Sequence, residues 1–433
     1  MTVMSMRILT TVLLAARFAA AAPLADFDQG VRVTPLLEDA RRGAKSEPAS
    51  DEGPLWINLG NSDLALVRAA GLSLGSPLSM SGSAAVFKVP AGLLPHLSDF
   101  MHETFGRCGG FFAHRTRVEA ELALSARAAT KGGPYTLDQQ AWVSPLISRV
   151  EEEGIRSTIE TLAAYHNRYY KANSGVEAAR WLQGRWQTLA GGLPGASSRL
   201  VKHDGWKQPS VVLTIPGAEK TEEVVILGGH LDSINGYGGE AARAPGADDN
   251  ASGIAVLTEA VRVLGASGLR PRRTLQFIGY AAEEVGLRGS QDLAKQAARE
   301  GMKVVGVIQY DMTNFKGSGE GIFLLNDHVD ADLTAFLGKL IEVYAGVPWA
   351  TTECGYACSD HASWTRNGYP ASAVFESTVD GRNRAIHTER DTLAASGGGA
   401  EHSVAFAKLA VAFAVELAKA SSAASVPAEL TRR

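Results

Sequence analysis

Between residues 210 and 375 the chain repeats one pattern: a short run rich in Val, Ile and Leu, then a stretch with helical spacing of its apolar residues. Strands covered on both faces read as nearly continuous apolar runs, and parallel neighbours must be joined by long crossovers, usually helices. The pattern therefore predicts an α/β fold, with a mostly parallel twisted central sheet flanked by helices. Candidate strands are 210–215, 224–227, 274–280, 304–310, 321–325 and 371–375. Candidate helices lie at 149–172 and 175–188, from Ser252 with Ile254, Leu257, Val261 and Leu264 on one face, and at 401–420.

Open sheets of this kind bind ligands beyond the carboxyl ends of their strands. Five turns near those ends carry His230 in GGHLDS, Asp248 and Asp249 in GADDN, Glu283 and Glu284 in AAEE, Asp311 in QYDMT, and His387 in IHTERDT. Any one of these, taken singly, reads as a solvated turn or an acidic helix start. Together they are oxygen and imidazole donors with no cysteine among them, a set suited to one or two divalent cations such as zinc. The expectation is a metallohydrolase.

With 42 Lys plus Arg against 46 Asp plus Glu, there is no basic field to hold nucleic acid. Arg7, the apolar run 8–16 and small residues at 20–22 predict a secretory signal over 1–22, hence a secreted protein, extracellular or periplasmic. That run is too short to span a bilayer, so no membrane attachment is expected after processing. In an exported protein Cys354 and Cys358 of CGYAC are expected to form a disulfide, leaving Cys108 unpaired. Residues 23–133 hold short apolar runs (PLWINL, LALVRAAGL, AAVFKV) and end in the linker TKGGPYT, which predicts a small α+β pro-segment removable by proteolysis. A catalytic domain over 134–421 and a flexible tail over 422–433 complete the division. Nothing in the sequence signals an oligomer, so a monomer is the default.

The motifs GGHLDS, APGADDNASG, AAEEVGLRGS, CGYACSDHASW and IHTERDT resemble the M28 family of zinc aminopeptidases, closest to its secreted bacterial leucyl members. The segment around HETFGRCGGFFAH also resembles their pro-segment. The resemblance implies two zinc ions per chain: Asp248 bridges both, His230 and Asp311 complete one, and Glu284 and His387 complete the other. It further implies a bridging water as nucleophile, Glu283 as the general base, Asp232 as the partner of the His230 imidazole, and a cis bond between Asp248 and Asp249 that aims the bridging carboxylate. His361 of CSDHASW is expected to be structural, and Asp391 is left outside the site. The implied substrates are peptides or proteins with a free N-terminus. Met312, Leu325, Cys354, Tyr356, Cys358, Phe375 and Ile386 would wall a pocket for leucine or another hydrophobic residue, with Tyr356 donating to the oxyanion. Val379 and Arg382 stand where those members carry aromatic residues, and Arg382 is expected to point to solvent. Two rival readings are a single-zinc acyltransferase of the glutaminyl-cyclase type and a non-catalytic binding scaffold.

Overall fold

The computed structural model describes residues 53–105, 109–125, 132–236, 238–421 and 425–427. The expected leader, residues 23–52 of the expected pro-segment, Cys108, residues 126–131 with the first two of TKGGPYT, and most of the tail lie outside the described residues.

Residues 55–122 form a small α+β unit. Its strands are β1 (Leu55–Gly60), β2 (Ser79–Met80), β3 (Ala84–Val89) and β4 (Phe111–His114), paired antiparallel in the order β2-β3-β1-β4. Alternation places Ile57, Leu59 and Phe87 in the interior. Three helices accompany them: α1 (Asn61–Ala69), α2 (Leu93–Phe105) and α3 (Arg117–Leu122), the last capped by the Thr116 hydroxyl, which accepts the Glu119 amide.

The larger unit, where the sequence places a catalytic domain, opens with α4 (Gln140–Ile147), α5 (Glu152–Ala163) and α6 (Asn173–Leu189). There follow β5 (Ser197–Val201), β6 (Ser210–Ile215), β7 (Lys220–His230), α7 (Gly253–Gly265), β8 (Arg273–Tyr280), α8 (Arg288–Glu300), β9 (Lys303–Tyr310), β10 (Ile322–Leu325), α9 (Ala331–Leu340), β11 (Trp349–Thr352), α10 (His361–Arg366), β12 (Ala371–Phe375) and α11 (Glu401–Ala418). Eight of these strands make one sheet in the order β11-β10-β12-β9-β7-β8-β6-β5. Its centre, β12-β9-β7-β8, is parallel throughout, and antiparallel pairs enter at β10 and at the β6 and β5 edge. The expected mostly parallel sheet is present; five candidate strands fall within observed ones, and 321–325 overlaps β10 from Ile322. Two edge strands, β5 and β11, were not anticipated; SSRLV and WATT are short, and their residues are half-buried or exposed. The first helical region proved shorter than expected, because the chain leaves the helix after Ala163 to run beneath the site.

Strands β7, β8 and β9 are neighbours, so their carboxyl ends lie side by side. Helices α7 and α11 are buried around most of their circumference and share one core with Val225, Leu227, Phe277 and Ile308 of the sheet. The small unit shares a second core with the larger one: Ile57, Leu59, Phe87, Leu97, Met101 and Phe111 pack with Tyr169, Tyr170, Trp206, Ile234, Ala282 and Val285.

Candidate metal centre

His230 is the last residue of β7, Asp311 follows β9 directly, and Glu283 and Glu284 follow β8 within four residues. Adjacent strands thus deliver three segments to one edge. Asp249 comes from the turn before α7, and His387 from the loop after β12. Ala282, Met312 and His387 take φ values of 56°, 57° and 58°, a left-handed conformation uncommon for residues with a Cβ, so the surrounding packing enforces these turns.

Among the described residues, two groups of side chains converge closely enough to hold a cation: His230, Asp249 and Asp311, and Asp249, Glu284 and His387. Asp249 belongs to both. Its Oδ1 lies 2.9 Å from His230 Nε2, while its Oδ2 lies 3.3 Å from His387 Nε2. His230 Nε2 is also 3.3 Å from Asp311 Oδ1, and His387 Nε2 is 2.8 Å from Glu284 Oε2. One carboxylate therefore faces two ligand groups, one oxygen to each. The resemblance had placed Asp248 in this bridging position and Asp249 behind it; the structure reverses them. Asp248 points away, its Oδ1 accepting the Asn314 amide at 3.1 Å and its Oδ2 accepting Asn383 Nδ2 at 3.1 Å. The cis peptide is likewise one residue later than expected, between Asp249 and Asn250.

Burial opposes charge on both imidazoles, yet the carboxylates outweigh it. Asp311, Glu283, Asp232 and Asp249 hold His230 well above its ordinary pKa, and Glu284 and Asp249 do the same for His387. Asp249 is buried too, but its bonds to the two histidines keep it well below the usual carboxylate range. Burial pushes Glu284 up to about 7 and Glu283 well above its usual value. Glu284 Oε1 is buried with no hydrogen-bond partner, although buried polar atoms are rarely left so. Imidazoles forced towards the cationic form and an orphaned carboxylate oxygen are what a site built around divalent cations shows when only its protein charges are present. The donor set, two histidines and three carboxylates, suits zinc.

Glu283 stands outside both groups, with its Oε2 4.0 Å from His230 Nε2. Asp232 grips this loop: Oδ1 accepts the Glu283 amide at 3.0 Å and Oδ2 the Glu284 amide at 3.2 Å. The His230 Nδ1 is nearer to the Asp232 backbone carbonyl, 3.1 Å, than to its carboxylate, 3.5 Å, so Asp232 orients the imidazole chiefly through its main chain.

Three supports were not expected from the sequence: Asp391 was set outside the site, and Glu376 and Arg168 were not singled out. Asp391 is buried and accepts the amides of Asp248 and Asp249 at 3.1 and 3.0 Å, fixing the bridging residue from behind. Glu376, raised by burial and by Asp248, bonds to Asp248 and accepts the Asn383 and Phe315 amides. Arg168, entirely buried, donates to the carbonyls of Leu231 and Gly246 beneath the site. Only the spacing of Asp391 from His387 hinted at any of them. His361 lies in neither ligand group, and burial lowers it to about 3, so it is neutral.

Beside Asp249, Glu283 and Asp311 opens a recess lined by Met312, Leu325, Cys354, Tyr356, Cys358 and Phe375. Ile386 packs with Met312, Leu325 and Phe375, fully buried behind them. The Cys354–Cys358 disulfide is formed. Arg382 does not point to solvent: it is 4% exposed, lines the recess with Val379, and donates Nη1 to the Val379 carbonyl at 2.6 Å.

Residues 210–412 match the model of peptidase family M28. A probable leucine aminopeptidase of Trichophyton verrucosum is 41% identical over 318 residues, covering 72% of this chain and 86% of its own. The chain belongs to the M28 family. This makes it a peptidase of a zinc-dependent family, in keeping with the donor set just described. Among solved structures, the LapA aminopeptidase of Legionella pneumophila superposes with a TM-score of 0.74 at 29% identity, covering 85% of this chain and 99% of its own. LapB of the same organism gives 0.73 at 31% identity, covering 84% and 99%. Residues 134–433 are 300 of the 433, about 69%, so both alignments reach into the small N-terminal unit of this M28 peptidase.

Proposed function

We propose that this M28 peptidase is a secreted di-zinc aminopeptidase that releases N-terminal leucine or other hydrophobic residues from peptides. The observation that carries the reading is the Asp249 carboxylate, shared oxygen by oxygen between two complete ligand groups. Zinc in such a pair lowers the pKa of a coordinated water and polarises a carbonyl. The chain's own residues supply the rest. His230 and Asp311 would hold one ion and Glu284 and His387 the other, with Asp249 offering one oxygen to each.

Glu283 takes the proton from the attacking water and passes it to the leaving amine, the work of a buried carboxylate whose proton affinity is raised. Tyr356, in the wall of the recess, donates to the developing oxyanion. Met312, Leu325 and Phe375 exclude water from around an apolar side chain. The names of the fungal relatives agree with leucine as the residue released. Export is supported by the leader sequence and the disulfide. Among the described residues no helix is long and apolar enough to cross a membrane. The same proposal takes 1–22 as the leader, 134–421 as the catalytic domain and 422–433 as the tail.

The test is zinc content measured alongside Leu-p-nitroanilide hydrolysis, before and after chelation and zinc add-back, on the full chain and on Glu283→Gln. Two zinc ions per chain, chelator-sensitive turnover, and a Glu283→Gln protein that keeps its metal but loses about a hundredfold or more in kcat are expected. An active Glu283→Gln enzyme removes the base assignment. One zinc without release of leucine points instead to a cyclase-type acyltransferase.

A further inference from the structure

The small N-terminal unit touches the metal centre at two places, and both belong to the same ligand group. The first is the loop carrying Glu283 and Glu284. Strand β4 lies against it: the Ala113 amide donates to the Gly286 carbonyl at 3.1 Å, and Gln291 Nε2 donates to the carbonyls of both Ala113 and Gly286, at 3.1 and 2.8 Å. The approach is so close that a Cβ on Gly286, whose φ is +103°, would meet Ala113 Cβ at 2.8 Å. Ala282 and Val285, on either side of the two glutamates, sit in the core shared with β1, β3 and α2.

A relay leads to the start of the same loop. Arg115 binds Asp292, Asp292 pairs with His203 Nδ1 at 3.0 Å, His203 Nε2 meets Ser210 Oγ at 2.8 Å, and that hydroxyl accepts the Ala281 amide at 3.1 Å. Ser210 is fully buried, so this serine, histidine and aspartate set braces the loop and has no access to a substrate. The second place of contact is His387, against whose ring the His102 ring of α2 packs, 4.6 Å between centroids.

The supports described for the other ligand group come from the larger unit, although Asp232 serves both groups. His230 is oriented by Asp232, and Asp311 accepts the Ser359 hydroxyl at 2.5 Å, both within the catalytic unit.

We propose that the N-terminal unit is a permanent positioning element for the Asp249, Glu284 and His387 group, acting through His102 of α2 and through Gln291, the α8 side chain that ties Ala113 of β4 to Gly286. Loosening their hold releases one metal of the pair and leaves the His230, Asp249 and Asp311 group competent. This rests on the two-metal reading above. It gives the opposite sign from a removable pro-segment, whose loss would raise activity.

The experiment is a zinc titration of the full chain against a chromophoric chelator, with steady-state kinetics on Leu-p-nitroanilide, for wild type, His102→Ala and Gln291→Leu. Both variants are expected to keep one zinc at wild-type affinity, to bind the second about tenfold or more weakly, and to lose kcat with little change in KM. His102→Phe, which restores a ring against His387, is expected to recover the second site; a merely destabilised domain would not show this. Two zinc ions at unchanged affinity in both variants, with kcat unchanged or raised, overturn the proposal. Fewer than two in the wild type sinks the two-metal reading and this proposal with it, so the two failures are distinguishable.

Discussion

Asp248 and Asp249 differ by one position and by everything that matters to a metal. Asp249→Asn weakens the donor common to both groups and is expected to lose both zinc ions, whereas Asp248→Asn keeps them and loses only stability; metal analysis with thermal melts separates the two. Composition could not distinguish these neighbours, because the choice depends on which carboxylate the turn aims at the strand ends, and Asp391, 142 residues away, sets that aim through two amides. That His230, Glu284, Asp311 and His387 converge was legible because each follows a recognisable apolar run or motif. Arg168 and Glu376 were not, since their meaning comes entirely from distant partners. His361 carries a prediction of another kind. Its folded pKa of about 3 lies below the ordinary 6.5, so the folded state binds fewer protons between those values. Stability is therefore full above about 6.5 and is lost as pH falls towards 3. His361→Leu should flatten that slope in denaturant melts while leaving zinc content intact; a lost zinc would make it a ligand after all.

At the scale of elements, the recess beside the two candidate ligand groups is assembled from the ends of β10 and β12, the turn after β9, and the disulfide loop before α10. Cys354 and Cys358 hold Tyr356 between them, so the covalent staple shapes one wall directly. Replacing both cysteines with serine is expected to raise KM for Leu-p-nitroanilide severalfold with zinc content unchanged and kcat lowered less than KM rises; an unchanged KM would show that the wall stands without the staple. The central strands could be read in advance because strands buried on both faces must be continuously apolar. Edge strands β5 and β11 escaped because only neighbour pairing, and no internal pattern, makes strands of them.

For the molecule as a whole, the shared core is the decisive feature. Nicking the linker between residues 125 and 132 with a protease is expected to leave both pieces together on gel filtration, because Tyr169, Trp206, Ile234 and Ala282 still bury the same face of the small unit. Separation of the pieces without denaturant would contradict this. The same packing orders the life of the chain. The small unit emerges first from the ribosome, yet its interior is completed by side chains that are synthesised later, from Tyr169 through Val285. Until then the core around Leu97, Met101 and Phe111 lacks the part that those later residues supply. The first unit to be made thus completes its interior only with segments that are made after it.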